Sequence, residues 1–384
     1  MNTKFASESM ELDELLDLIC VEIQLNPTRR EQAESAYANV GNWLDAPNSE
    51  LRVYRPTVFP QGSMALDTTV RPLAHTEFDL DGVCLFEITG RTPNPMAVYD
   101  MVYERLAQNG KLVEKIEKKY RCIRLNYSGD FHLDVIPAVP DPTRRPGETR
   151  LWIPDIELKE WWPSDPKGFV AWFEKQIRFW EKRAFSERVT ANVEPLRQPQ
   201  SPDTKSPLKL AVQLLKRWRD VKFEGREGIA PSSIVLTTLA GKLFRGEAHP
   251  TDAIMNILDG IARWAQREPI RFQNPSNETE WFTNKWDADP EMYEIFLEEV
   301  AEFRVRWERL LTKRGLPEKI AELKRLFQEA PVTNAVGKFA EARRTAAGVS
   351  LQTSKSNGAI RIGTAGAAPV GFVANKPHGF HGGK

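Results

Sequence analysis

Asp79 and Asp81 are separated by a single residue in Glu77-Phe78-Asp79-Leu80-Asp81, a run that continues Gly-Val-Cys-Leu-Phe and so has an apolar tail. Alternation along a strand puts both carboxylates on one side and Phe78 and Leu80 on the other. A third acid, Asp134, stands in the extended apolar run Phe131 to Val139, which can pair beside the first. Carboxylates clustered on buried strands are costly unless a cation answers them. Three of them on neighbouring strands form a hard oxygen set, suited to Mg²⁺ and not to zinc. Upstream, Gln61-Gly62-Ser63 has the form of a turn opening a helix, whose backbone N–H groups and hydroxyl can take phosphate oxygens. Alone, either piece has an ordinary reading, as a plain turn or a solvated strand face. Together, metal-binding acids beside a phosphate cradle point to two-metal phosphoryl or nucleotidyl transfer.

These residues need a small sheet to hold them. Leu12, Leu15, Leu16, Ile19 and Ile23 fall at helical spacing in Met10 to Ile23, and Asn26-Pro27 caps a second helix running to Trp43-Leu44. A strand from Leu51 to Val58 leads into the Gly-Ser turn. Asn94-Pro95 starts a helix to about Gln108, and extended runs follow at Arg121 to Tyr127 and Phe131 to Val139. The fold class is α+β, a small mixed sheet with helices on it. From Pro140 to Thr204 the texture turns to proline, charge and tryptophan. Lys167 to Ala184 is a helix with Phe169, Trp172, Phe173, Ile177 and Trp180 on a core stripe. Further helices are expected at Pro207 to Phe223, Pro231 to Phe244, Thr251 to Arg267, Pro290 to Arg314 and Pro317 to Ala330. The chain divides into a core at 1–145, a helical lobe at 146–346 and a flexible tail at 347–384, too poor in large apolar residues to fold.

Composition sets the class. The 384 residues suffice for two lobes, and the formal net charge of zero gives no basic field for nucleic acid or anionic membrane. No apolar run approaches a membrane span, and Met1 to Glu11 has no signal-peptide core. Cys20, Cys84 and Cys122 are scattered and read as buried small hydrophobes, which fits a reducing cytoplasm.

Gln61-Gly62-Ser63, Asp79-x-Asp81 and Asp134 resemble the DNA polymerase β-like nucleotidyltransferases. The segments Val58-Phe-Pro-Gln-Gly-Ser-Met-Ala-Leu-Asp-Thr-Thr-Val-Arg-Pro-Leu73 and Phe131-His-Leu-Asp-Val-Ile-Pro-Ala138 narrow this to the bacterial cGAS/DncV-like nucleotidyltransferases (CD-NTases). The resemblance spans roughly residues 8 to 345. It implies a polymerase β-like core facing a C-terminal helical lobe across the active-site cleft. It also implies synthesis of a cyclic di- or trinucleotide messenger in anti-phage defence, from ATP, GTP or another nucleoside triphosphate. In that reading Gly62 and Ser63 hold the donor triphosphate, with Gln61 in the same turn. Asp79 and Asp81 bind two Mg²⁺ ions, Mn²⁺ being an alternative, and Asp134 completes the metal that activates the acceptor ribose hydroxyl. A Lys-x-aromatic helix and the start of the next helix assist the triphosphate in such enzymes, and Lys216 and Ser232 match those positions, with Ser233 a further candidate beside Ser232. The plain alternative is a solvated face of Lys216, Arg217 and Arg219, with Ser232 as a helix cap; Lys209 is the reserve for Lys216.

His132 shares a strand face with Asp134, either as a neighbour of the acids or as an ordinary satisfied imidazole. His75, His249, His378 and His381 have no partner at metal-ligand spacing, so the zinc insertion of the animal DNA sensor is missing. The product and not the protein meets the downstream effector, and the enzyme is expected to be a monomer. The end of the chain, through Gly382-Gly383-Lys384, resembles the C-termini that an E1–E2-like partner conjugates, although Lys384 follows the glycines; a plain flexible end is the other reading. A linear oligonucleotide or RNA-tailing enzyme, and a catalytically inert scaffold, are the competing functions. Bases, linkage and ring size are not legible in the sequence.

Overall fold

The structure, a computed structural model, describes residues 2–73, 78–88, 93–110, 112, 115–127, 131–188, 205–313, 315–346, 349–354, 360–364 and 372–374. Helices α1 (Asn2–Ile23) and α2 (Pro27–Leu44) open the chain. The Asn26 side chain accepts from Arg29 N at 2.8 Å, as a capping residue before proline should. Strand β1 (Thr57–Pro60) follows, then the short helix α3 (Gly62–Leu66) and β2 (Phe78–Leu85). The expected strand from Leu51 is instead a 3₁₀ turn, Glu50–Tyr54, because Ser49 caps it by accepting from Leu51 N and Arg55 closes it with φ 49°. Next come α4 (Pro95–Ala107), β3 (Ile116–Lys118), β4 (Ile123–Tyr127), β5 (Phe131–Pro140), β6 (Leu151–Asp155) and β7 (Glu160–Ser164).

The strand order is β1-β2-β5-β4-β3, with β6 on the far end of β5 and β7 on β6. β2 and β5 are parallel and the other pairs antiparallel, giving the mixed sheet of an α+β fold. One face of the sheet is closed by α2 and α4 around Tyr37, Leu80, Tyr99 and Leu133. The other face carries a smaller apolar group, Val83, Ile136, Ala138, Leu151 and Ile153, beyond the acids.

The second half is helical: α5 (Pro166–Arg188), α6 (Pro207–Lys222), α7 (Ser233–Leu243) and α8 (Pro250–Arg267). After these come the hairpin β8 (Gln273–Asn274) and β9 (Asn277–Trp281), then α9 (Asn284–Ala288), α10 (Pro290–Thr312), α11 (Leu316–Phe327) and α12 (Glu329–Ala346). The aromatic stripe of α5 is core as expected: Phe169, Phe173 and Ile177 are buried, and Trp172 and Trp180 pack against them. Trp218 stacks on Phe303 at 4.8 Å in the same core.

Several boundaries move. α7 begins at Ser233, not at Pro231, after a 3₁₀ turn at Glu227–Ile229. The single helix expected at Pro317 to Ala330 is two, broken where Gln328 takes φ 79°. The division at residue 145 does not follow the packing. Leu12, Leu15, Leu16 and Ile19 of α1 belong to the helical core, whereas β6 and β7 continue the sheet to Ser164. The tail is not structureless throughout: β10 (Val349–Ser354), β11 (Ile360–Thr364) and β12 (Phe372–Ala374) form an antiparallel sheet. Val-Ser-Leu-Gln-Thr and Ile-Arg-Ile alternate in type, and cross-strand pairing satisfies their backbone without needing a large core. His75, Glu77 and the terminal residues 375–384 lie outside the described residues.

Candidate active site

The parallel register of β2 and β5 sets Asp79 beside His132 and Asp81 beside Asp134, and β4 adds Arg124 opposite Asp134. Because these positions share strand parity, all five side chains stand on one face. Arg124 grips Asp134 with two bonds, Nε to Oδ1 at 2.7 Å and Nη2 to Oδ2 at 2.8 Å, and its Nη2 also reaches Asp79 Oδ1 at 3.4 Å. His132 Nε2 contacts the same Asp79 oxygen. Asp134 is buried, whereas the Asp79 side chain is 63% exposed.

Asp81, between them, has no such counter-ion in contact among the described residues. Burial, then the charges of Asp134 and Asp79, push its carboxyl up to about 7, against the pull of Arg124 and His132. Among the described residues no three His, Cys, Asp or Glu side chains converge as a finished metal cage, since Asp134 is turned onto Arg124. The donor set nevertheless fits a hard dication: three carboxylates on adjacent strands, one of them raised to about 7 by burial and by its acidic neighbours, a cost that a cation would relieve.

Gly62 sits directly over Asp81. Its φ of 59° suits glycine, and a Cβ there would stand 3.1 Å from Asp81 Oδ2. Gln61 holds the turn in place by donating its N–H to the Asp81 carbonyl at 3.0 Å. Ser63 accepts at its carbonyl from Thr68 N at 3.0 Å, closing the turn behind α3. The phosphate-type turn and the acids are thus one peptide apart.

Lys216 is buried, not on a solvated face, and Arg217 beside it is 1% exposed. Lys216 Nζ donates to the Thr68 carbonyl at 3.2 Å and to its hydroxyl at 3.0 Å. Burial, then the nearby Arg219, push the ammonium down to about 7. Lys209, the reserve position, is spent on Glu174 at 2.7 Å. Ser232 occupies the N-cap of α7 but makes no capping bond with its side chain. Ser233 accepts from Arg219 Nη1 at 2.8 Å, so it joins the basic patch through Arg219.

Residue reasoning passed over Arg124, although the alternation of Ile123, Arg124 and Leu125 already sets it apart from the apolar face. It also passed over Tyr37, whose hydroxyl donates to the Asp81 carbonyl at 3.1 Å from α2. Cys122 is half-buried rather than buried, and its thiol lies against Asp134, where burial and that carboxylate raise its pKa.

Residues 10–176 match the family model described as the Second Messenger Oligonucleotide or Dinucleotide Synthetase domain. The chain is 29% identical over 335 residues to a c-di-GMP synthase of Roseivirga ehrenbergii, covering 86% of this chain and 88% of that protein. It is 30% identical over 305 residues to the cyclic dinucleotide synthase CdnG of Bradyrhizobium diazoefficiens, covering 72% and 70%. The structure of that organism's CdnG in complex with GTP has a TM-score of 0.69 at 24% identity, over 86% of this chain and 99% of that one, a likeness of fold. A sheet that sets its acids under a Gly-Ser turn, in a chain this similar to a cyclic dinucleotide synthase over most of both lengths, belongs to the cGAS/DncV-like nucleotidyltransferases (CD-NTases) of anti-phage CBASS defence and is a cyclic oligonucleotide synthase.

Proposed function

We propose that this chain joins two molecules of GTP into cyclic di-GMP. The observation that carries the chemistry is the β2–β5 register, which sets Asp81 beside Asp134 beneath the Gly62 turn. The choice of guanine rests on the relatives, one called a c-di-GMP synthase and one a CdnG whose structure holds GTP. The linear-polymerase and scaffold readings draw no support from these relatives.

In this reading Gly62 and Ser63 seat the donor triphosphate with backbone N–H groups and a hydroxyl, and Gln61 keeps the turn registered on β2. Lys216 stands behind the turn as a charge for the phosphates, and Ser232 and Ser233 flank the basic patch. Asp79, Asp81 and Asp134 would hold two Mg²⁺ ions, with Mn²⁺ as a substitute, as the family's need for a divalent metal leads one to expect. Bound there, Mg²⁺ would lower the pKa of the acceptor ribose hydroxyl and offset charge on the phosphates. Arg124 fixes the plane of the Asp134 carboxylate with two hydrogen bonds. His132 holds Asp79 from the neighbouring strand. The hydroxyl oxygen bonds to the donor α-phosphorus as the bond to pyrophosphate breaks, and a second such transfer closes the ring.

No helix among the described residues is long and apolar enough to cross a membrane. We further infer cytoplasmic action as a monomer, and an E1–E2-like conjugating partner for the C-terminal tail. Incubation with ATP, GTP, CTP, UTP and Mg²⁺, phosphatase treatment and mass spectrometry test the product. Cyclic di-GMP surviving phosphatase is the expected result. A different ring would overturn the guanine assignment, and a phosphatase-sensitive chain would overturn cyclisation.

A further inference from the structure

Residues 67–73 run from α3 towards the strand of Asp79, and most of their carbonyls are taken by side chains of the helical lobe. Lys205 Nζ donates to Asp67 O at 3.1 Å, Lys216 Nζ to Thr68 O at 3.2 Å and Gln213 Nε2 to Thr69 O at 2.8 Å. Arg217 Nη2 donates to Arg71 O at 2.5 Å. Thr68 is the junction. Its hydroxyl and carbonyl both accept from Lys216, while its N–H donates to the carbonyl of Ser63. A single residue therefore separates α6 from the phosphate turn.

Stability does not account for these side chains. Gln213 is fully buried and Arg217 nearly so. Gln213 Oε1 and Arg217 Nε and Nη1 are buried without a hydrogen-bond partner, and no carboxylate among the described residues pairs with Arg217 or Lys216. Burial accordingly lowers the Arg217 pKa to about 10. A buried cation bonded to a carbonyl, with the nearby Asp220 charge in contact with Arg219 instead, is costly, and an apolar side chain of similar volume would serve a purely structural contact better. Local rules are broken in this way where function requires it. A cation without a contacting carboxylate behind an anion seat, tied to it through backbone, serves to hold and attract that anion.

We propose that Arg217, with Gln213 and Thr68, forms a positioning brace for the donor triphosphate: from α6 it fixes residues 68–71, and thereby the Ser63 turn, while its charge favours the bound anion. None of the three needs to touch the nucleotide. The proposal rests on the assignment of Gly62 and Ser63 to the donor phosphates.

The test uses the full chain with Arg217→Met, Arg217→Lys and Thr68→Val, each measured for urea unfolding, for GTP affinity by calorimetry, and for kcat and KM. Arg217→Met is expected to unfold at no lower urea concentration than the wild type, yet to bind GTP about tenfold more weakly, with KM raised to match. Arg217→Lys, which keeps the charge and one donor, is expected to recover most of that affinity. Wild-type affinity and KM in Arg217→Met would overturn the brace whatever its stability, and so would a loss that lysine does not restore. Should Arg217→Met fail to fold, Thr68→Val keeps the volume and removes only the hydroxyl. It is expected to weaken binding about threefold, and unchanged affinity there would overturn the proposal. Affinities are also taken for ATP, CTP and UTP. A wild type that prefers another base would sink the cyclic di-GMP reading while the brace is still judged from that nucleotide.

Discussion

Replacing Gly62 with alanine tests the close approach of the proposed phosphate turn to Asp81. Two costs can be worked out from the structure. The backbone at φ 59° is left-handed, which for an L-residue costs about 1–2 kcal/mol. The new Cβ would lie 3.1 Å from Asp81 Oδ2, so the carboxylate or the turn must yield by a few tenths of an ångström. A misplacement of about 1 Å at reacting groups costs roughly a hundredfold in rate, so a fraction of that shift should cost about tenfold. Gly147 and Gly225 separate the two effects, since they have φ 91° and 76° with no heavy atom within 4 Å of an added Cβ. Urea unfolding should show all three alanine variants destabilised to a similar extent. Pyrophosphate release from GTP should fall about tenfold in Gly62→Ala alone. Wild-type kcat in Gly62→Ala, or an equal loss in Gly147→Ala, would show that the turn is not built around Asp81.

Asp79→Asn, Asp81→Asn and Asp134→Asn should each abolish nucleotide consumption, but they should divide on stability. Asp81→Asn removes a repelled buried charge and should raise the unfolding midpoint of the metal-free protein, whereas Asp134→Asn strips Arg124 of its carboxylate and should cost about 1.5–3 kcal/mol. The carboxyl of Asp81 sits at about 7 in the fold against 3.8 unfolded. The folded state therefore holds the extra proton, and the group's contribution to stability is complete below pH 3.8 and lost as pH rises through about 7. In the proposed site Mg²⁺ would have to displace that proton, so its apparent affinity should rise about tenfold per pH unit below 7 and flatten above, and a flat calorimetric profile from pH 5.5 to 8 would contradict the metal assignment of Asp81. Lys216→Ala should weaken GTP binding by about 1.5–3 kcal/mol, with a smaller effect for Lys209→Ala, because Lys209 is already paired with Glu174. Asp13 on α1 accepts from Thr251 N at 3.2 Å and Thr251 Oγ1 at 2.7 Å, capping α8 from across the lobe. Asp13→Ala should lower unfolding stability by about 1–2 kcal/mol with turnover unchanged at permissive temperature.

Local pattern carried most of the core lobe. Asn26-Pro27 and Asn94-Pro95 cap helices where their chemistry requires, and Asp79-x-Asp81 share a face because strand geometry leaves no other choice. The same reasoning misplaced Leu51 to Val58, where a serine cap outcompeted β-propensity, and it overlooked the strands after Gly348, whose short alternation is weak beside a Gly- and Ala-rich composition. The core expected at 1–145 also took in α1, whose buried leucines pack with the helices.

What the amino-acid order displayed by itself was a set of candidate groups: hard-oxygen acids at strand spacing, a Gly-Ser turn before them, and a lysine on a later amphipathic helix. What tertiary structure alone decided was which groups answer those charges. Asp134 acquires Arg124, Asp81 is left to its neighbours, and Lys216, Gln213 and Arg217 turn inward to carbonyls far away in sequence. Helical periodicity can say which residues share a face, but not whether that face meets water or another lobe. The difference is a solvated basic stripe in one case and a buried charge behind the Gly62 turn in the other, and only contacts formed across the whole chain distinguish them.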